Sequence, residues 1–270
     1  MFQLDKKVAL VTGGCGVLGS AIAAALGEAG AQVVVTSRSQ ERAADTQERL
    51  RSAGIEAKGL ALEDLDRPTL SAGLDAIESD YGPVDILVNA AGGNVKEATV
   101  SPDCDFFHLP EQALEDVVKM NLFPGAMTPC QVVGERMVAS GTPGSIINIS
   151  SMNAFRPLTR IAGYSAAKAA VSNFTQWLAV YFARDLGCDV RVNAIAPGFF
   201  LTDQNRALLT TEDGGLTDRG RQVNDHTPMG RFGNPEDLAG TAVWLASDAS
   251  AFVTGVVVPV DGGFSAFSGV

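Results

Sequence analysis

The sequence has little of the residue types that ligate metals or attack esters. Among 270 residues there are two histidines, His108 and His226, and four cysteines, Cys15, Cys104, Cys130 and Cys188. The histidines lie far apart, so no zinc motif on one helix is available, and the cysteines show neither C-x-x-C nor framework spacing. No metal site is expected. No G-x-S-x-G elbow presents a serine nucleophile. Sparse cysteine without a visible secretory signal implies reduced thiols and a cytoplasmic setting. No run approaches the roughly 18 apolar residues of a transmembrane helix. Basic residues are also short: 20 against 31 acidic ones, a net charge of −11. That balance disfavours nucleic acid or an anionic membrane as a partner and leaves a small molecule as the expected one.

What the sequence does contain is a regular alternation. Lys7 to Thr12, Ala31 to Thr36, Ile55 to Leu62, Asp85 to Asn89, Ser145 to Ser150, Asp189 to Ala194 and Gly255 to Val260 are short β-branched runs. Most are continuously apolar, as in strands covered by helices on both faces. Between them lie helical candidates: Leu18 to Ala29, Gln40 to Ser52, Pro68 to Tyr81, Glu111 to Leu122, Ala126 to Ser140, Tyr164 to Leu186 and Pro235 to Ser247. The pattern predicts an α/β fold, a doubly wound Rossmann-type parallel sheet of seven strands with helices on both faces. No linker divides the chain, so residues 1–270 are expected to form one domain. Two irregular stretches, about 92–110 and 197–234, leave the carboxyl ends of strands, where ligands of open parallel sheets bind, and are expected to be substrate lids.

Directly after the first strand stands Thr12-Gly13-Gly14-Cys15-Gly16-Val17-Leu18-Gly19. Glycines here permit a tight turn and a close approach of backbone to a pyrophosphate, which the helix N-terminus then favours. The alternative is a purely structural glycine turn. An acid at the end of the second strand would bind the ribose 2′-hydroxyl of NAD. The chain instead has Thr36-Ser37-Arg38-Ser39, so Ser37 and Arg38 can receive a 2′-phosphate. NADP is therefore the expected cofactor, with NAD the alternative. Tyr164 and Lys168, four apart on a predicted helix, share a face, and the ammonium is expected to favour the ionised phenol. Ser151 follows an apolar strand and so lies on the nucleotide side.

In order along the chain, the glycine turn, Asp64, Asn89-Ala90-Ala91-Gly92, Asn121, Ile149-Ser150-Ser151, Tyr164 with Lys168, Pro197-Gly198 and Asp261-Gly262-Gly263 resemble the short-chain dehydrogenase/reductase family. The resemblance implies an NAD(P)-dependent enzyme acting on CH–OH groups. Tyr164 would be the proton donor to a carbonyl, Ser151 would bind the same oxygen, and Lys168 would bind the nicotinamide ribose and lower the Tyr164 pKa. Asn121 would hold a water that relays protons. Gly13, Gly16 and Gly19 would face the pyrophosphate, Asp64 and Asn89 the adenosine half, and Thr202 the nicotinamide side. The implied cofactor set also includes Val17, Leu18, Leu65, Ala90, Ala91, Gly92, Pro197, Gly198 and Phe200. Ser150 is expected to be structural, and the family resemblance implies a homotetramer. One departure is that Val17 stands where the family has its middle glycine, so either the turn differs locally or that position does not need positive φ.

The Gly-Val-Leu-Gly form, together with Gly92-Gly93-Asn94, Phe106-Phe107, Gln204-Asn205-Arg206 and Thr227 to Gly233, resembles the bacterial D-mannonate oxidoreductases (fructuronate reductases) of this family. That implies reduction of D-fructuronate to D-mannonate. A sugar acid needs a cation for its carboxylate and polar groups for its hydroxyls. The lid segments and their surroundings offer Asn94, Lys96, Asn153, Arg160, Gln204, Asn205 and Arg206, of which Asn94, Asn153, Arg160 and Arg206 form the expected substrate set. The alternatives are a gluconate 5-dehydrogenase-like or 3-oxoacyl thioester reductase and, from another class, a non-catalytic nucleotide-binding protein.

Overall fold

Seven parallel strands run through the centre of the molecule in this computed structural model, which describes residues 1–202 and 205–269. They are β1 (Val8–Thr12), β2 (Gln32–Ser37), β3 (Ala57–Ala61), β4 (Ile86–Asn89), β5 (Gly144–Ile149), β6 (Val190–Pro197) and β7 (Val257–Val260). Their spatial order is β3-β2-β1-β4-β5-β6-β7, and every pairing is parallel. The apolar runs are continuous because both faces are covered: every residue of β1, β4 and β5 is buried. The strand order reverses between β1 and β4. That switch point opens a crevice at the carboxyl ends of the strands.

One face packs the apolar side of α1 (Val17–Glu28), through Ile22, Ala23 and Leu26, with α9 (Ala239–Ala246), through Ala242 and Leu245. The other face packs α3 (Arg67–Tyr81), α5 (Thr128–Ser140) and α6 (Ala162–Val180), whose Leu74, Val133 and Phe174 meet Leu10, Leu87 and Ile146. The remaining long helices are α2 (Gln40–Ser52) and α4 (Glu111–Leu122). Local chemistry sets their starts. The Ser39 hydroxyl accepts from the Arg42 N–H and opens α2, and the Asp66 carboxylate accepts from the Thr69 N–H and opens α3.

Several helices differ from the sequence expectation at their ends. Between α4 and α5 lies a π-turn, Phe123–Met127, entered at Pro124, which has no N–H for regular helical pairing. The helix expected over Tyr164 to Leu186 begins at Ala162 and passes into a second π-turn, Tyr181–Asp185. The one expected from Pro235 starts as a 3₁₀ turn, Pro235–Leu238, before α9. The segment 197–234 is also less irregular than expected, because α7 (Arg206–Leu209) and α8 (Asp218–His226) lie within it. Thr217 caps α8 by accepting from the Gly220 N–H, a start signal visible in Thr217-Asp218. No helix of the described residues is long and apolar enough to cross a membrane.

Candidate active site

A cleft of about 720 Å³ lies at the carboxyl ends of the strands, within the size range of small-molecule sites. The glycine turn forms one wall. Gly13 has φ +64°, and a Cβ there would stand 2.8 Å from the Ala91 backbone. A Cβ on Gly19 would stand 2.4 Å from the Gly13 carbonyl oxygen. Gly16 is different, with φ −81° and ψ 168° as the residue preceding α1, and Val17 is simply the first helical residue. Neither position needs positive φ, which settles the Val17 departure: the turn tolerates a β-branched residue there. The start of α1 has no side-chain cap and no acidic residue in its first turn. Its free N–H groups and positive dipole end therefore suit a phosphate.

The expected cofactor residues Gly13, Gly16, Val17, Leu18, Gly19, Ser37, Arg38, Asp64, Leu65, Ala90, Ala91, Gly92, Pro197, Gly198, Phe200 and Thr202 all line this cleft. Asn89 does not. Its amide turns into the interior and donates to Asn148 Oδ1 at 2.9 Å and to Cys130 Sγ at 3.3 Å. Its side chain thus points away from the cleft in which an adenosine is expected. Arg42 was missed by the sequence reading. It lines the cleft beside Arg38, and its Nη2 donates to the Cys15 carbonyl at 3.1 Å. The signal was its position one turn into α2 after Arg38.

Ser151, Tyr164 and Lys168 line the other end of the same cleft. Ser151 follows β5 and is 8% exposed, while Lys168 is 5% exposed on α6. Its Nζ donates to the Ile149 carbonyl at 2.8 Å and stands 5.6 Å from the centre of the Tyr164 ring, over its face. Burial draws the Lys168 ammonium down to about 8. Burial also raises the Tyr164 phenol above its ordinary value, and a hydrogen bond with Ser151 acts in the opposite direction. In the protein alone desolvation is the larger influence on the phenol and holds it protonated.

Asn121 is completely buried beneath this end. Its Nδ2 donates to the carbonyls of Val117 at 2.8 Å and Gly93 at 2.7 Å, and its Oδ1 accepts from the Gly93 N–H at 3.1 Å. With both amide protons spent on backbone, the side chain clamps the 92–93 loop. Gly92 (φ +149°) passes so close that a Cβ would stand 2.6 Å from Asn121 Oδ1. Ser150 is structural in its contacts. Its hydroxyl meets the Lys168 carbonyl at 3.1 Å and the Ser172 hydroxyl at 2.7 Å.

None of Asn94, Asn153, Arg160 and Arg206 lines the cleft. Asn94 donates to Thr99 Oγ1 at 2.8 Å, and Asn153 is 5% exposed. The Oδ1 atoms of both are buried without a partner. Arg160, Arg206 and Lys96 are exposed. Asn205 lines the cleft, but its side chain accepts from the Thr202 N–H and donates to the Phe200 carbonyl, each at 2.8 Å. Gln204 lies outside the described residues.

The sequence profile of the family described as enoyl-(acyl carrier protein) reductase matches residues 16–265. The chain belongs to the short-chain dehydrogenase/reductase family. This family member is 44% identical to an uncharacterised oxidoreductase of Bacillus subtilis (strain 168), over 99% of this chain and 98% of that protein. It is 35% identical to the 5-keto-D-gluconate 5-reductase of Escherichia coli (strain K12), over 97% of each. Among solved structures, a Haemophilus influenza protein provisionally named a D-mannonate oxidoreductase, with NAD bound, superposes with a TM-score of 0.91. It is 42% identical over 99% of this chain and 98% of that one. A gluconate 5-dehydrogenase of Burkholderia cenocepacia J2315, in complex with NADP and tartrate, gives a TM-score of 0.84 at 33% identity over 98% of each chain. The chain is accordingly a short-chain dehydrogenase/reductase-family oxidoreductase of alcohol and ketone groups.

Proposed function

We propose that the chain is an NAD(P)-dependent reductase of a sugar acid, interconverting D-fructuronate and D-mannonate. The observation that carries the chemistry is the convergence of Ser151, Tyr164 and Lys168 on the cleft that the glycine turn opens. When bound, the dinucleotide supplies or accepts the hydride. Gly13 and Gly19 would let the backbone approach its pyrophosphate, and the uncapped start of α1 would bind the charge. Arg38 and Arg42 would take a 2′-phosphate, which favours NADP over NAD. Lys168 keeps two ammonium protons for ribose hydroxyls after its bond to Ile149. Tyr164, its phenol held protonated by burial, would donate its proton to the carbonyl oxygen of the substrate. The Ser151 hydroxyl, whose oxygen accepts from the Asn153 N–H at 3.3 Å, would turn its proton to the developing alkoxide.

The sugar-acid assignment draws on the Haemophilus structure's provisional name and on the motifs shared with that subgroup. The relative named for 5-keto-D-gluconate supports a second reading with that substrate. The whole chain is proposed as one catalytic unit, with 92–110 and 197–234 as its substrate rim. Exposed Trp177 (58%), Val180 (58%) and Phe252 (105%) support self-association as a homotetramer, tested by light scattering. The deciding assay follows NADPH oxidation with D-fructuronate, 5-keto-D-gluconate and a 3-oxoacyl thioester. Fastest turnover on fructuronate supports the proposal. Preference for another member of the panel reassigns the substrate, and no oxidation with any carbonyl while NADPH binds would leave a binding protein.

A further inference from the structure

Directly beneath the proposed catalytic residues lies a chain of buried polar groups that no step above uses. Asn89 ends β4, and Asn148 stands opposite it on β5 in the parallel register. Asn89 donates to Asn148 Oδ1 at 2.9 Å, Asn148 Nδ2 donates to Thr175 Oγ1 at 2.9 Å, and Thr175 passes its proton to the Val171 carbonyl at 2.8 Å. Asn89 is 1% exposed, and Asn148 and Thr175 are 0% exposed. Amides and hydroxyls removed from water are costly unless paired; Asn89 Oδ1 has no partner, but the links from Asn89 Nδ2 through Asn148 to Thr175 are made and specify one geometry. Cys130 adjoins the chain, but burial pushes its thiol up to about 12, so it brings neither charge nor a nucleophile.

The three elements joined here are the three that surround the Lys168 ammonium. The extension of β4 reaches it at Gly92, where a Cβ would stand 3.5 Å from Nζ. The end of β5 accepts a hydrogen bond from it at the Ile149 carbonyl. Helix α6 carries Lys168 itself and, seven residues later on the same buried face, Thr175. Ser150 already ties the Lys168 carbonyl to β5. The ties made by Ser150 and by the Lys168 ammonium all lie between Lys168 and Ser172; the Asn148–Thr175 bond, about two turns beyond Lys168, extends them along the helix and so resists a change of tilt.

We propose that the Asn148–Thr175 hydrogen bond is a positioning device for Lys168, holding the tilt of α6 so that the ammonium meets both Ile149 and the cleft. The proposal rests on the reading of Lys168 as the site's cation. Thr175→Ser and Thr175→Ala both lose the methyl group and differ only in the hydroxyl, so their comparison isolates the bond. Below the melting temperature of both, kcat of the Ala variant is expected about tenfold under that of the Ser variant, because small displacements of reacting groups are expensive. The KM for the keto acid is expected to be the same in both, since no substrate contact changes. Thr175→Val, which keeps the volume but not the hydroxyl, is expected to follow Ala and serves if Ala does not fold. Cys130→Ala, whose thiol meets Asn89 and Asn148 Oδ1 but not the Asn148 Nδ2–Thr175 bond, should keep the native kcat. Equal kcat in the Ser and Ala variants, or native kcat in the Val variant, would overturn the proposal. Lys168→Met in the same assay separates the two ideas: if it keeps native turnover the reading of Lys168 falls, and if it does not, the Thr175 pair alone decides.

Discussion

The Lys168 ammonium donates to the Ile149 carbonyl at 2.8 Å, and burial draws its pKa down to about 8. Taking that cation out of water burdens the fold. Lys168→Met removes that burden and is expected to raise stability at pH 7. A fall from 10.5 to about 8 is worth on the order of 3 kcal/mol, and the orphaned Ile149 carbonyl offsets part of it. The unfolded chain binds more protons than the folded one between pH 8 and 10.5, so this group makes the native protein more stable as pH rises through that window. Melting curves should show that rise in the native protein and less of it in Lys168→Met. Identical pH dependence in the two would refute the assignment.

The same titration should appear in binding. As pH climbs through about 8, free Lys168 loses its charge. The kcat/KM for the dinucleotide is therefore expected to fall on the alkaline side, and a profile flat to well above that value would show that the ammonium does not contribute.

Tyr164→Phe removes the proton donor and leaves the ring beneath Lys168 in place. General acid catalysis is typically worth about 10²- to 10⁴-fold, and a loss of kcat in that range is expected with dinucleotide affinity retained. Stopped-flow single turnovers check this, and turnover at several per cent of native would remove Tyr164 from the role.

Arg38→Ala and Arg42→Ala are each expected to raise the Kd for NADPH roughly tenfold, the scale of one hydrogen bond to a charged group, with little change for NADH. Fluorescence titration of both cofactors decides it. Equal losses for the two would mean that the arginines do not meet a 2′-phosphate.

The strands, their parallel arrangement and most residues of the cleft were legible in the sequence, because β-branched runs and a glycine turn follow from short-range sterics. Ser151 could be placed at a carboxyl end from its strand, and Tyr164 with Lys168 on one helix face from their spacing; that the three meet was implied by the family resemblance. Three things were not legible. Asn89 and Asn121 carry polar amides whose direction depends on partners such as Asn148 and Gly93, distant in sequence. The behaviour of Tyr164 depends on how deeply it is buried, which spacing does not state. The substrate set was drawn from polar residues around the lids, and the structure uses Asn205 to hold the loop and leaves Arg160 and Arg206 at the surface.

The contact between Gly19 and the Gly13 carbonyl also bears on how this protein can diversify. Ala at position 19 would put a carbon 2.4 Å from that oxygen, and overpacking of this kind costs about 1–3 kcal/mol. At position 16 the same change meets the same oxygen at 3.4 Å, an ordinary distance. Gly19→Ala should therefore lower both melting temperature and dinucleotide affinity, and Gly16→Ala should leave melting nearly native. An outcome reversed between the two would show that the turn is not built as described. The glycine turn is thus closed to side chains at Gly13 and Gly19, while Arg38 and Arg42 sit on open surface. Any lineage that exchanges one nicotinamide coenzyme for the other has its freedom at that rim, where side chains can be swapped without disturbing the floor.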